Sequence, residues 1–212
     1  DLFQSYGFPF ELIQEELAQR ALLVDPKEFQ SEYQAHYEKH QEISRAGSEQ
    51  KFTGGLADHS PPVIAGHTAT HLLHQALRTV LGEHVGQKGS NITAERLRFD
   101  FSHPEKMTKE QLQMAEDLVN EQIKKDLPVY FEVLDMEVAK QRGAIGIFDD
   151  KYAQLGGKIK VYFVGDDKQG FFSKEICGGP HVSHTGEIKS LKILKEEAVS
   201  AGIRRIKAKV GI

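Results

Sequence analysis

Apolar residues in this chain recur with two different periods. Over residues 96–101, Leu97, Phe99 and Phe101 alternate with Arg96, Arg98 and Asp100, the period-two signature of a strand with one buried face. Residues 128–134, 159–164, 189–195 and 204–210 read as further strands. Elsewhere the spacing is helical. Ser60 followed by Pro61 and Pro62 predicts a helix that runs to about Leu81 and stops at Gly82. Its apolar residues, Val63, Ile64, Leu72, Leu73, Ala76, Leu77, Val80 and Leu81, leave almost no wet face, so this helix belongs at the centre of its domain. Thr108 and Gln111 form a capping-box pattern ahead of a helix that turns Leu112, Ala115, Val119 and Ile123 inward. A short helix is expected near residues 136–142. Strands interleaved with helices, one of them buried, predict an α+β fold: a mostly antiparallel sheet packed on a buried helix.

The first fifty residues differ in character. Leu12, Ile13, Leu17 and Leu22 have helical spacing over residues 11–21, and Asp25-Pro26 opens a second helix, to about Ser44, with Phe29, Tyr33 and Tyr37 as a stripe. Gly, Ser, Pro and charge then dominate to residue 62. Residues 1–52 are therefore expected to be a helical segment, 53–66 a linker that overlaps the helix start at Ser60, and 67–212 a metal-containing domain.

Composition narrows the classes. With 212 residues, 39% apolar and 27% charged, the chain is of ordinary globular make-up. It has no apolar run long enough to span a membrane. Its one cysteine excludes an internal disulfide and points to a reducing compartment, the cytoplasm. A net charge of −4 argues against indiscriminate nucleic-acid binding by bulk charge, though a local basic patch remains compatible with it. The start at Asp1, without Met or a signal pattern, is expected of a piece of a longer chain.

The candidate chemistry lies in two couplets far apart in the chain, His67-Thr-Ala-Thr-His71 and Cys177-Gly-Gly-Pro-His181. Imidazole nitrogen and thiolate sulfur together make a sensible tetrahedral set for zinc. A buried histidine pair and a buried thiol without metal would produce the same pattern. His74 shares the strip of His67 and His71, and a buried strip of imidazoles requires a metal or hydrogen-bond partners. Thr68 stands where a zinc peptidase would carry glutamate, so peptide hydrolysis is not expected.

Taken in order, His67-Thr-Ala-Thr-His-Leu-Leu-His74, Gln87-Lys-Gly-Ser90, Arg96-Leu-Arg-Phe-Asp-Phe101, Cys177-Gly-Gly-Pro-His181, Thr185-Gly-Glu-Ile188 and Ala201-Gly-Ile-Arg-Arg-Ile206 closely resemble the editing domain of the alanyl-tRNA synthetases. They are also similar to free-standing editing proteins and, more distantly, to the threonyl-tRNA synthetases. Residues 1–52, with Ser5-Tyr-Gly-Phe-Pro9, resemble the end of the tRNA-recognition region. Pro180 stands where the synthetases more often have Thr, a form similar to the free-standing and threonyl branches, and this bears on fine substrate preference.

The resemblance implies hydrolysis of Ser-tRNA(Ala) or Gly-tRNA(Ala), with zinc held by His67, His71, Cys177 and His181. Its partners would be the acceptor end of mischarged tRNA(Ala) and an aminoacylation domain in the same polypeptide, which attaches alanine using ATP. With four ligands in place, zinc has no open position in its usual set and acts by positioning groups; a loose ligand would instead allow activated water. Gln87 matches a position near the substrate, and Gly178 and Gly179 could offer backbone N–H groups to a developing oxyanion. Arg96, Arg98, Arg204 and Arg205, with Lys207 and Lys209, could present a row of charge to RNA. A zinc-stabilised tRNA-binding module without hydrolytic activity would share most of these features.

Overall fold

The computed structural model describes residues 56–146, 158–168 and 170–211. The chain divides at Phe52/Thr53 into two units, and every described residue lies in the second. The helices expected at residues 11–21 and 26–44 lie outside the described residues.

The central helix, α1, runs Pro61–Leu81. Ser60 precedes it in extended conformation but makes no side-chain cap bond. Pro61 and Pro62 lack N–H groups, so fewer orphan donors need capping there. Residues 61–66, expected at the end of a linker, are therefore its first turns. Gly82 ends the helix at φ 115°, in backbone space that a Cβ would resist, and its N–H bonds the Arg78 carbonyl. Val63, Ala69, Leu72, Leu73, Ala76 and Leu77 are fully buried. The second helix, α2 (Lys109–Lys124), opens on the expected reciprocal box: Thr108 Oγ1 accepts from the Gln111 N–H, and Gln111 Oε1 accepts from the Thr108 N–H.

Two antiparallel sheets flank this helical centre. The first has the order β1 (Gln87–Ile92), β2 (Leu97–Ser102), β7 (Ile203–Val210) and β6 (Leu191–Ser200). Its inner face carries Leu97, Phe99, Phe101, Ile206 and Ala208, all fully buried. The second runs β3 (Val129–Asp135), β4 (Lys158–Asp166) and β5 (Gly170–Ile176). Helix α1 touches β5 of one sheet and β1, β2 and β7 of the other.

Register divides the smaller sheet into two unlike faces. Phe131 pairs with Tyr162 and Tyr162 with Glu175, while Val133 pairs with Lys160 and Val164 with Ser173. These residues share the face that meets α1. The opposite face packs Ile159, Val161 and Phe163 on Ala139 of the short helix α3 (Met136–Gln141), as a small second core.

Three differences from the sequence reading have physical reasons. Strand β1 was not expected because Ile92 is its one apolar residue, as suits a half-exposed sheet edge. Strand β5 was missed because the side chains it buries, Ser173 and Glu175, are polar. Strand β6 starts at Leu191 rather than residue 189, because a 3₁₀ turn (Thr185–Ile188) ends on Lys189 at φ 68°.

Candidate metal centre

Helix α1 projects His67 and His71 from successive turns of one face, both about 95% buried. Strand β5 runs directly into Cys177, whose N–H bonds the Lys160 carbonyl of β4 at 3.1 Å. The irregular stretch after it returns His181 over the helix. His67, His71, Cys177 and His181 thereby offer ligand atoms all within 4.8 Å of one another, although the two couplets are about a hundred residues apart. Cys177 Sγ lies 3.4 Å from His67 Nε2. The His67 and His181 rings stack at 4.2 Å, and His71 meets both edge-on, at 5.2 and 4.5 Å.

The surroundings of the three imidazoles decide which nitrogen each presents. His67 Nδ1 is 3.0 Å from the Pro180 carbonyl, so it carries the proton and donates. His71 Nδ1 lies 3.7 Å from Glu175 Oε2. His181 Nδ1 lies 3.1 Å from Thr68 Oγ1, which also accepts the Val182 N–H at 3.2 Å and donates its own proton to the Ile64 carbonyl at 3.3 Å. With that proton committed, Thr68 accepts from His181. Each Nδ1 thus faces an oxygen, at 3.0 and 3.1 Å for His67 and His181 and at a longer 3.7 Å for His71, and each Nε2 is turned to the centre, where a cation would take the place of any proton it shares with the thiol. This is the outer-shell arrangement that orients histidine ligands in metal sites. His181 Nε2 is buried without a hydrogen-bond partner, an orphan that a cation would satisfy.

The electrostatics agree. Burial pushes the Cys177 thiol up, but hydrogen bonds from His67 and His71 and their charges outweigh it and bring the pKa down to about 5. The thiol is therefore a thiolate, the ligand form, at neutral pH. His181 is driven downward by burial and then by His71, His67 and Lys160, so it is a neutral ligand. His71 is raised: burial opposes its charge, and Glu175 and Cys177 overcome that. Glu175 is lowered against its own burial by His71 and His74. Three imidazoles and a thiolate, once any imidazolium proton is displaced, make a donor set that fits a divalent metal ion.

Glu175 was not singled out by sequence, and Thr68 was noted only for standing where a zinc peptidase carries glutamate. Glu175 accepts from His74 Nδ1 at 3.1 Å and from Ser173 Oγ at 3.3 Å besides facing His71. This answers the question of the third histidine: His74 stands outside the cluster and is held by the same carboxylate. The available signal was the alternation Ser173, Glu175, Cys177, which puts polar groups on one strand face leading to a ligand.

The two glycines between the ligands differ. A Cβ on Gly179 would fall 2.5 Å from His67 Cε1, so glycine is what lets the loop close on that ring, while a Cβ on Gly178 would meet nothing within 4 Å. Gln87, expected near the substrate from the resemblance, opens strand β1, is exposed, and donates from Nε2 to Ser90 Oγ at 3.2 Å. The arginines do not form one row. Arg205 makes a two-pronged pair with Asp100 at 2.7 and 2.8 Å, with Arg98 beside the same carboxylate at 3.8 Å. Arg204, in register with Phe101, lies on the other face and pairs with Glu196, and Arg96 is exposed just ahead of β2.

Residues 159–207, which take in nearly all of β4, the whole of β5 and the loop that carries Cys177 and His181, match the family described as the threonyl and alanyl tRNA synthetase second additional domain. A relative named alanine–tRNA ligase from Treponema denticola is 56% identical over 98% of this chain, and those from Treponema pallidum and Borreliella burgdorferi are 52% and 47% identical over the same share. This chain is homologous to one segment of the alanine–tRNA ligases. It spans about a third of the length of these relatives, 32–33%. Among the described residues no helix is long and apolar enough to cross a membrane.

Proposed function

We propose that this chain is the editing part of a cytoplasmic alanine–tRNA ligase, hydrolysing the ester that joins serine or glycine wrongly to tRNA(Ala), while other parts of the polypeptide attach alanine using ATP. The observation that carries this reading is the four-donor cluster, with every Nδ1 held by an outer acceptor and a thiolate already formed. The need is physical: a pocket shaped for alanine cannot sterically exclude glycine, and one added hydroxyl costs too little to exclude serine, so a second site must remove the errors.

Zinc suits the three imidazoles and one thiolate, with His67, His71, Cys177 and His181 as its ligands. When bound, the ion supplies a positive centre that orients an amine or polarises an oxygen. The protein's own groups do the rest. Thr68, Pro180 and Glu175 fix the imidazoles, so the site needs no reorganisation when substrate arrives. Gly178, with open space at its α-carbon, brings a backbone N–H to where charge develops on the ester carbonyl oxygen, and Gly179 shapes that approach. Gln87, with its Nε2 spent on Ser90, turns its amide oxygen to a seryl hydroxyl. Arg96, Arg98, Arg204 and Arg205 would meet the acceptor-stem backbone, Arg96 most readily because the other three sit beside carboxylates.

Deacylation of Ser-tRNA(Ala), measured with and without chelator, tests the reading. Activity is expected in the metal-loaded chain and should be lost together with metal in Cys177→Ala. Gln87→Leu should slow hydrolysis of the seryl ester while metal content stays at the wild-type level. RNA binding without any hydrolysis by metal-loaded wild type would replace this reading with that of a binding module.

A further inference from the structure

The face of the smaller sheet that carries the metal cluster does not end under helix α1. Tyr162, buried, packs its ring 4.1 Å from His181, and its cross-strand neighbour Phe131 lies 5.5 Å further out on β3. Phe131 is 50% exposed and Val133 beside it 58%, on the edge strand of the sheet. Lys160 of the same face lays its ammonium 3.9 Å from the Phe131 centroid and 4.8 Å from that of Tyr162. No carboxylate among the described residues pairs with it. A cation lying on an exposed aromatic ring, two ring contacts from the metal cluster, matches the chemistry of a nucleotide: a base with a flat π-face and a phosphate one sugar away.

Resting on the editing function above, we propose that Phe131 and Lys160 form the docking platform for the unpaired 3′-terminal nucleotide of the RNA, Phe131 stacking on a base and Lys160 moving to a phosphate. The ribose that carries the ester then lies between this platform and the metal cluster. Stacking tolerates any base, so the platform contributes affinity and position, while discrimination is left to the amino-acid pocket.

The test uses the 212-residue chain and an RNA hairpin with an acceptor stem and an unpaired CCA 3′ end, set against the same hairpin trimmed blunt. Phe131→Ala should weaken binding of the CCA hairpin roughly 5- to 100-fold, the span expected for loss of a base-stacking ring, and should abolish the preference over the blunt hairpin. Phe131→Tyr should restore both. Lys160→Gln should lower the slope of log affinity against log salt by about 0.7, the value for one single-strand phosphate contact. Thermal unfolding of each variant checks that the fold is intact. Wild-type affinity in Phe131→Ala, or no preference for the CCA end in wild type, overturns the proposal. If Ser-tRNA(Ala) is not hydrolysed by wild type but the binding results hold, the editing function fails and the platform stands.

Discussion

Thr68→Val removes one oxygen atom from the core and should disable the metal centre without touching a ligand. The residue is fully buried, and its hydroxyl accepts from the Val182 N–H and from His181 Nδ1. Valine fills nearly the same space, so packing changes little. The two donors, however, lose their acceptor inside the protein. Each buried donor left unpaired costs about 1–3 kcal/mol, so the pair costs about 2 kcal/mol or more. For a chain of this size, that lowers the melting temperature by roughly 4 °C at least, at about 2–4 °C per kcal/mol. His181 has one escape, which is to carry its proton on Nε2 instead; that places an N–H where a lone pair is needed. Metal affinity should therefore fall by about 10- to 100-fold, the usual cost of losing an outer-shell partner. Competition with a chromophoric chelator reads the affinity, and thermal unfolding of the metal-free protein reads the stability. Thr68→Ser, which keeps the hydroxyl, should recover most of both. A Thr68→Val protein that binds metal as tightly as wild type would refute the assignment of the His181 tautomer and of Nε2 as ligand.

Two further outcomes follow from the loop and the thiol. Gly179→Ala should lose metal affinity because its methyl falls 2.5 Å from the His67 ring, whereas Gly178→Ala, with nothing within 4 Å, should keep it; equal affinities by chelator competition would contradict the close approach. In metal-stripped protein the rate of Cys177 alkylation by iodoacetamide should be flat through neutral pH and fall only below about pH 5, since the lowered pKa keeps the thiolate above that value. A rate still climbing near the ordinary thiol range, about 8.5, would show an unperturbed cysteine, and metal should protect the thiol in either case.

The parts of the fold legible in the sequence were those whose burial is largely apolar and periodic. Helix α1, the capped helix α2 and strand β2 declare themselves through Leu72, Leu73 and Leu77, through Ala115, Val119 and Ile123, and through Leu97, Phe99 and Phe101, all buried at regular spacing. Strand β5 did not, because its inward positions serve the metal centre and not the core, so function overwrote the pattern that betrays structure. The ligand set was legible because His-x-x-x-His and Cys-x-x-x-His restrict donor chemistry by residue type alone. The supporting contacts were hidden: Thr68, Glu175 and the Pro180 carbonyl act through geometry between segments about a hundred residues apart. The pairing of the basic residues was hidden for a related reason. Alternation places Arg204 and Arg205 on opposite faces, and only the register across β2 and β7 reveals that Asp100 already holds one of them.

The polar inner face of β5 also guards the alignment of the small sheet. Side chains alternate along a strand, so sliding β5 by a single residue against β4 would turn Lys174 toward helix α1 and expel Ser173 and Glu175. The slipped arrangement would bury an ammonium group among histidines and strand His74 without its acceptor. An apolar strand could tolerate such a slip at small cost; this one cannot, so the residues that surround the histidine–cysteine cluster also reject the misaligned sheet as the chain folds.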